Sequence, residues 1–454
     1  MVKTKLLKST IALTALSSLL LVGCGSASAS KTDKADEETQ APAASENTDS
    51  VSTEQSPAAT GVFGEAFANG QVENNGSSFV RVGDKVYYRV MAPENVQKGT
   101  LGGWLDESAG EASSSIMSYD LKTGEATNVA SVQGVDELYA VPEGLVVSSI
   151  NYKETLLCPM DGSEPRSYLD GYPVAVSDNG RMIATHKYVD GESNYNNLYV
   201  DGNEVAKLTD EEDWRYSFKS SGNNIFALKE HYNTVDDIQK PYLYSYDENG
   251  NCTEYGQVQL AADDEYLTQA YGLSQVLQDG DDVYLLFTYY QGSGGYYAGY
   301  EIHKLTVGKA DSLTLVKASI PDKEASSEEE GILNDSGVQS MYLDDSKNIA
   351  TAMNEVGTVG TESSTDDNSS LVFYDKPDHS VQIKDSYFST TDSNKQFLNS
   401  GAAFGDDVFL IVADTVSDPE QSIGWRDGYS IQQIRFVHIN KKDGKEDVLE
   451  TLKL

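Results

Sequence analysis

The sequence predicts an all-β fold, a β-propeller of seven four-stranded blades, on three observations. First, a two-hairpin phrase recurs. Its clearest copy is VRVGDKVYYRV (80–90) followed by IMSYDLKTGEATNVASV (116–132). An apolar strand, a Gly-Asp turn and a Tyr-rich strand are followed by a strand, a Lys-Thr-Gly turn and a closing strand. Second, the phrase returns at roughly 40–60 residues, the spacing of propeller blades. Third, nothing in the folded region shows a long helical period. Insertions leave six or eight blades open as counts.

Seven first-hairpin turns place the units. They are Gly83-Asp84-Lys85, Pro142-Glu143-Gly144, Asp178-Asn179-Gly180, Ser221-Gly222-Asn223, Asp279-Gly280-Asp281, Asp344-Asp345-Ser346 and Gly405-Asp406-Asp407. Each offers residues that tolerate the backbone angles of tight hairpins. Each precedes an apolar or Tyr-rich strand, as in VYYRV (86–90), MIATHKY (182–188) and VFLIVA (408–413). Second hairpins show in 198–209, 243–255 and 435–452. The stretch 61–72 adds an edge strand or covers one.

The first sixty residues are of another kind. Lys3, Lys5 and Lys8 precede an uncharged run from Ser9 to Leu21. The run is too short for a stable membrane span. Leu21-Val22-Gly23-Cys24 resembles the bacterial lipobox. That resemblance implies a lipoprotein signal peptide over 1–23, diacylation of Cys24 and a mature chain held on the extracytoplasmic face of the membrane. Two acyl chains suffice for stable attachment. Residues 24–60 are Ser, Ala, Thr, Glu, Asp and Pro with few large apolar side chains, which predicts an acidic, disordered tether. The propeller then runs over 61–454.

Composition narrows the function. The formal charge of −39 argues against nucleic-acid binding, which needs a basic footprint. Beyond Cys24, Cys158 and Cys252 are expected free and buried, since two Cys in a large domain make no disulfide framework. Tyr outnumbers Phe, 28 to 12, and Tyr suits half-buried strands.

VAVSDNGRMIATHKY (174–188) followed by NLYVDGNEVAKLT (197–209) resembles the TolB-type propeller repeat, with Asp178 where that repeat carries Pro. The phrases at 80–132 and 243–255 are similar to the LDL-receptor-like propeller domains of clostridial lipoproteins. The resemblance spans roughly 75–454 by pattern. It implies a fold and no particular activity.

In a blade with strands A to D, the A–B and C–D turns share one face. The B–C loops and interblade links share the other. The longer insertions, 91–115, 288–300, 354–369 and 413–429, fall in B–C loops. Trp104 and Trp425 lie in such loops and Trp214 in a link. Tyr289, Tyr290, Tyr296, Tyr297 and Tyr300 flank the Gly-rich stretch 291–295. Loops on a rigid scaffold carry recognition, and Trp and Tyr are its usual anchors. The expectation is a non-catalytic surface lipoprotein that binds a glycan or a cationic peptide or protein there. The alternatives are an assembly subunit docking on a membrane complex and a polysaccharide-active enzyme. Acidic pairs Asp106–Glu107 and Glu211–Glu212 are the candidate carboxylates for the enzyme.

No catalytic residue, cofactor or metal site is assigned. Gly-x-Ser-x-Gly, Cys-x-x-Cys and His-Glu-x-x-His are absent from the sequence. His186 and His231 fall in neighbouring units near the binding face; they are expected as exposed loop residues, with a shared metal or an acid–base role as the alternative. Asp247 to Asn251 lacks the spacing of a Ca²⁺ loop and reads as a hairpin turn.

Overall fold

The computed structural model describes residues 61–74, 78–90, 114–149, 153–189, 194–210, 214–231, 241–260, 270–291, 296–319, 338–343, 346, 348–353, 370–376, 379–384, 396–423 and 426–453. The chain folds as a β-propeller.

A short helix α1 (Gly64–Ala68) opens the described chain. Strands β1 (Val72–Asn74), β2 (Phe79–Val82), β3 (Lys85–Val90), β4 (Ser114–Asp120) and β5 (Ala126–Val132) form the first blade. The second holds β6 (Gly134–Val141), β7 (Gly144–Ser149), β8 (Glu154–Cys158) and β9 (Arg166–Asp170). The third holds β10 (Tyr172–Val176), β11 (Met182–Lys187), β12 (Tyr195–Val200) and β13 (Asn203–Thr209). The fourth holds β14 (Trp214–Ser221), β15 (Asn224–His231), β16 (Tyr242–Tyr246) and β17 (Cys252–Gln257). The fifth holds β18 (Ala270–Asp279), β19 (Asp282–Gln291), β20 (Tyr296–Thr306) and β21 (Thr314–Ser319). Two hairpins follow, β22 (Val338–Leu343) with β23 (Ile349–Met353) and β24 (Ser370–Lys376) with β25 (His379–Lys384). The last blade holds β26 (Gln396–Phe404), β27 (Asp407–Ile423), β28 (Arg426–Asn440) and β29 (Lys445–Lys453).

Each sheet is antiparallel with its strands in chain order. The two hairpins are separate two-stranded sheets, with β23 lying beside β24. The innermost strands pack side by side in succession, β2 on β6, β6 on β10, β10 on β14, β14 on β18 and β18 on β22, and β26 returns to β2.

The core sits in the seams between blades. Seam one–two holds Val80, Ile116, Leu138 and Leu145. Seam two–three holds Val146, Leu157, Ile183 and Tyr199. Seam three–four holds Met182, Ala184, Leu198 and Phe218. Seam four–five holds Phe226, Leu243, Leu285 and Phe287. The closing seam joins Phe79, Tyr88 and Tyr119 of the first blade to Phe404, Phe409 and Phe436 of the last. The last blade draws all four strands from its own stretch of chain, so among the described residues no strand is shared across this seam.

The two faces separate as the strand phases demand. Leu121 N–H donates to Asp84 O at 2.8 Å, Asp201 N–H to Arg181 O at 2.8 Å, and Lys441 N–H to Asp406 O at 2.9 Å. These bonds tie C–D turns to A–B turns on one face, the turn face. Interblade links and B–C connections meet on the other, where Asp210 N–H donates to Asn194 O at 2.9 Å and Val258 N–H to Pro241 O at 2.8 Å.

Two stretches expected as loops are strand. Much of 288–300 continues β19 and β20, with Tyr290 opposite Tyr297. Much of 413–429 continues β27 and β28, with Val416 opposite Ser430 and Ser417 opposite Tyr429. Cross-strand pairing continues through both stretches, so the insertions lengthen the B–C hairpins instead of leaving the sheet. The stretches 91–113 and 354–369 lie outside the described residues.

The lead-in reaches the turn face. Phe63 N–H donates to Pro142 O at 2.9 Å. β1 pairs with the inner edge of β2, Val72 opposite Val82. The Asn74 side chain bonds the Ala140 main chain twice, at 2.9 and 2.7 Å, so it fastens the first blade to the second.

Both downstream cysteines are free. Cys158 is buried as expected, whereas Cys252 is exposed on the outermost strand of its blade.

Candidate functional site

The site grows out of a change of residue type along one seam. Side chains alternate sides along a strand. On β11, Met182 and Ala184 enter the core between the third and fourth blades, and His186 and then Tyr188 extend that same side toward the insertion face. On β12, Leu198 faces this core and Asn196 lies two residues nearer the insertion face. On β14, Phe218 is in the core, Tyr216 packs against it, and Trp214 lies beyond. An apolar seam thus becomes polar and aromatic at its insertion-face end.

The rings cluster there. Tyr172 lies opposite His186 in the β10–β11 register, with ring centroids 5.5 Å apart and edge to face. Tyr188 meets His186 edge to face at 4.6 Å. The Trp214 ring lies 6.0 Å from Tyr242. The Lys229 ammonium stands 5.6 Å from the Trp214 ring and 5.8 Å from Tyr216.

A hydrogen-bond relay runs through the cluster. His186 Nδ1 lies 2.7 Å from Asn196 Oδ1. Asn196 Nδ2 donates to Asp210 Oδ1 at 3.0 Å. Because the Asn196 amide spends its donor on Asp210, its oxygen faces His186 and requires Nδ1 to carry the proton. The Nε2 lone pair is then available, and Nε2 has no partner among the described residues. Burial favours the neutral ring and holds the His186 pKa below the ordinary imidazole value, against the opposing bond to Asn196. Burial raises the Asp210 carboxyl to about 6, although the Tyr216 N–H, Asn196 and Arg215 all favour its charged form. Beside it, Arg215 Nε donates to Glu230 Oε1 at 3.0 Å. Burial pushes Glu230 upward and Arg215 opposes the shift.

The reverse side of the same strands meets the second blade. Tyr195 OH donates to Asp170 Oδ2 at 2.7 Å, Lys187 pairs with Asp170, and the Lys207 ammonium sits 3.6 Å from the Tyr195 ring centroid.

Of the residues expected to bind, Trp214 belongs to this cluster. It is half-buried and engaged with Tyr242 and Lys229. Tyr289, Tyr290, Tyr296 and Tyr297 lie in strands of the fifth blade. Trp104 and Trp425 lie outside the described residues, as do Asp106, Glu107, Glu211 and Glu212. His231 pairs in register with Trp214. Among the described residues no group of three or more His, Cys, Asp or Glu is placed to hold a metal ion. Asp247 Oδ1 accepts the Asn249 and Asn251 N–H groups at 2.9 Å, which makes the segment a closed turn. Sequence reading passed over Asn196 and Asp210. The signal was a polar residue in phase with the seam-facing side of a strand.

No known family model matches the chain, and no curated protein matches it. Solved structures do resemble it. The propeller domain of the Trilobed protease of Pyrococcus furiosus, described as having an open velcro topology, gives a TM-score of 0.43 at 11% identity, covering 81% of this chain and 95% of that one. An oligogalacturonate lyase of Vibrio parahaemolyticus gives 0.38 at 8%, covering 79% and 95%. A TolB-like protein of Agrobacterium tumefaciens gives 0.30 at 11%, covering 75% and 89%. At such identities the likeness concerns fold.

The expected function is corrected here. A self-standing, non-catalytic binder working through Trp- and Tyr-bearing loops does not match the neighbours. These are mostly propeller parts of peptidases and oligogalacturonate lyases, an acylaminoacyl peptidase and a puromycin hydrolase among them. Trp214 is packed, and the Tyr-rich stretch is paired strand. No catalytic role is thereby assigned to this chain.

Proposed function

We propose that this chain is a substrate-handling propeller. It seats a substrate bearing hydrogen-bond donors at the insertion-face end of the seam between the third and fourth blades. The observation that carries this reading is the relay from His186 through Asn196 to Asp210. Simple adhesion to a surface polymer needs no imidazole held neutral with its proton fixed on one nitrogen. Titratable groups shifted by burial and grouped among aromatic rings mark sites where protons are handled. His186 Nε2 is the acceptor, Asn196 and Asp210 are positioning residues, and Tyr172 and Tyr188 fix the ring from two sides. Among the described residues, Asn196 is the side-chain hydrogen-bond partner of His186.

The test is an array of glycans and peptides probed with residues 61–454. The His186→Phe variant keeps a ring between the two tyrosines and removes Nε2. Expected is loss of the captured signal in His186→Phe and retention in Trp104→Ala and Trp425→Ala, with circular dichroism unchanged in all three. A signal that survives His186→Phe sinks the proposal.

A further inference from the structure

We infer that the relay behind His186 has two settings, and that acid reverses the seat from one that accepts a hydrogen bond to one that donates it. This concerns the regulation of the seat and rests on the reading of His186 as its acceptor.

Three side chains carry it, and the middle one is an amide. His186 Nδ1 lies 2.7 Å from Asn196 Oδ1, and Asn196 Nδ2 donates to Asp210 Oδ1 at 3.0 Å. An amide accepts at one end and donates at the other. Asn196 is buried, where an end left unpaired is costly, so its orientation follows what its two neighbours offer. An ionised Asp210 can only accept. It takes the amide donor, Oδ1 turns to His186, the imidazole proton stands on Nδ1, and Nε2 is bare. A protonated Asp210 has an O–H that needs an acceptor. The Tyr216 N–H also donates to this carboxyl, but a main-chain donor cannot reverse, whereas the Asn196 amide can. A half-turn about its Cβ–Cγ bond gives Oδ1 to Asp210 and Nδ2 to His186. Nδ1 must then be bare. Asp210 has gained one proton from water, and the imidazole has released its proton from Nδ1 and taken one on Nε2. Partial moves are blocked. Turning the amide alone sets two donors against each other, and moving the imidazole proton alone leaves two acceptors 2.7 Å apart.

The surroundings bring the change close to neutral pH. Burial raises the Asp210 carboxyl to about 6, against the Tyr216 N–H, Asn196 and Arg215, so it takes its proton where an ordinary carboxyl is already ionised. Burial also opposes a charge on His186. Neutralising Asp210 removes the anion at the far end of the relay, which leaves an imidazolium less favoured still. The ring therefore changes tautomer and not charge. The other charged groups facing the relay belong to β14 and β15. Arg215 pairs with Glu230 at 3.0 Å, and burial pushes Glu230 upward. The Lys229 ammonium stands by the Trp214 and Tyr216 rings, and His231 lies in register with Trp214. On the strand side, the Tyr172 and Tyr188 rings meet the imidazole edge to face. In the ionised setting the seat holds a substrate by its donor. In the protonated setting it offers N–H and lets that donor go.

The test separates the reversal from the seat. Long-range ¹H–¹⁵N spectra of the imidazole-labelled full chain, without ligand, follow His186 from about pH 8 to about pH 5. Expected is a proton that passes from Nδ1 to Nε2 around pH 6 on a ring that stays neutral. The accepting fraction falls about tenfold over that range, as for one group titrating near 6. Both nitrogens protonated in acid, or an unchanged tautomer, overturns the inference. Asp210→Asn is nearly isosteric and removes the titrating group, so the step near pH 6 should vanish in it; a step that survives overturns the relay as its cause. The glycan and peptide array, read at both ends of the pH range, reports on the seat. Capture that falls about tenfold in acid supports the reversal. Capture that is lost in His186→Phe but equal at both pH values leaves the seat standing and overturns its reversal. Capture indifferent to His186→Phe overturns the seat itself, whichever way the tautomer moves.

Discussion

Phe409→Ala probes how the ring is closed. Phe409 is fully buried. Its ring lies 5.7 Å from Phe79 and 5.8 Å from Tyr119 of the first blade. Within its own blade it lies 6.0 Å from Phe404 and 4.8 Å from His438. Truncation removes a phenyl group from a site walled on two sides by another blade. Such losses cost about 3–5 kcal/mol when the cavity cannot collapse. Because no shared strand crosses this seam among the described residues, side-chain packing bears the closure. Urea unfolding followed by fluorescence measures the cost, with Phe226→Ala in the seam between the fourth and fifth blades as a matched control. Both variants should lose a similar amount. A loss below about 0.5 kcal/mol for Phe409→Ala, the range of surface substitutions, together with a full loss for Phe226→Ala, would refute closure by this packing.

Other outcomes follow from the same geometry. The Asp210 carboxyl binds its proton more tightly when folded, with a pKa of about 6, so its contribution is present below the unfolded carboxyl value and is lost as pH rises through about 6. The group is half-buried, so the loss is about 1–2 kcal/mol after screening, and thermal midpoints of Asp210→Asn should lack this step. Gly180 has φ +69°, and Gly180→Ala should cost about 1–2 kcal/mol for the left-handed backbone alone. It should also displace Phe67 of α1, whose ring a Cβ there would approach to 2.6 Å, seen as faster proteolysis within 61–69; unchanged cleavage would show that α1 does not rest there. Glu301 and His303 are both buried and bonded at 2.8 Å. Glu301→Ala removes the buried hydrogen-bond partner of the imidazole and should cost about 1–3 kcal/mol, measured by urea midpoint, whereas a change near zero would mean that the bond adds nothing to stability.

The fold was legible because turns are local. Each of the seven turn signals names a Gly, Asn, Asp, Pro or Ser at a point where the chain reverses, and β2–β3, β10–β11 and β26–β27 reverse there. Hairpin length was less legible. Ser417 to Tyr429 carries Pro419 and Gly428, which read as loop, yet cross-strand pairing continues on both sides of the irregularity between Ser417 and Ser422. The relay was hidden for a different reason. His186 stood out as a residue type, but Asn196 and Asp210 are ordinary polar residues in sequence. They become a relay when β12 and the link after β13 are brought beside β11, a contact set by sheet register. Trp214 was noticed for its size, and only the packing shows that Tyr242 and Lys229 already engage it.

The proton on His186 gives the most direct measurement. The chain has five His, so a long-range ¹H–¹⁵N spectrum of imidazole-labelled protein is simple, and His186→Phe assigns its signals. Expected at pH 7 is a neutral ring with Nδ1 protonated and Nε2 bare, and an Nε2 resonance that moves when an array-captured ligand is added. A charged ring, a proton on Nε2, or an Nε2 signal indifferent to that ligand would contradict a substrate seat built on His186, Asn196 and Asp210.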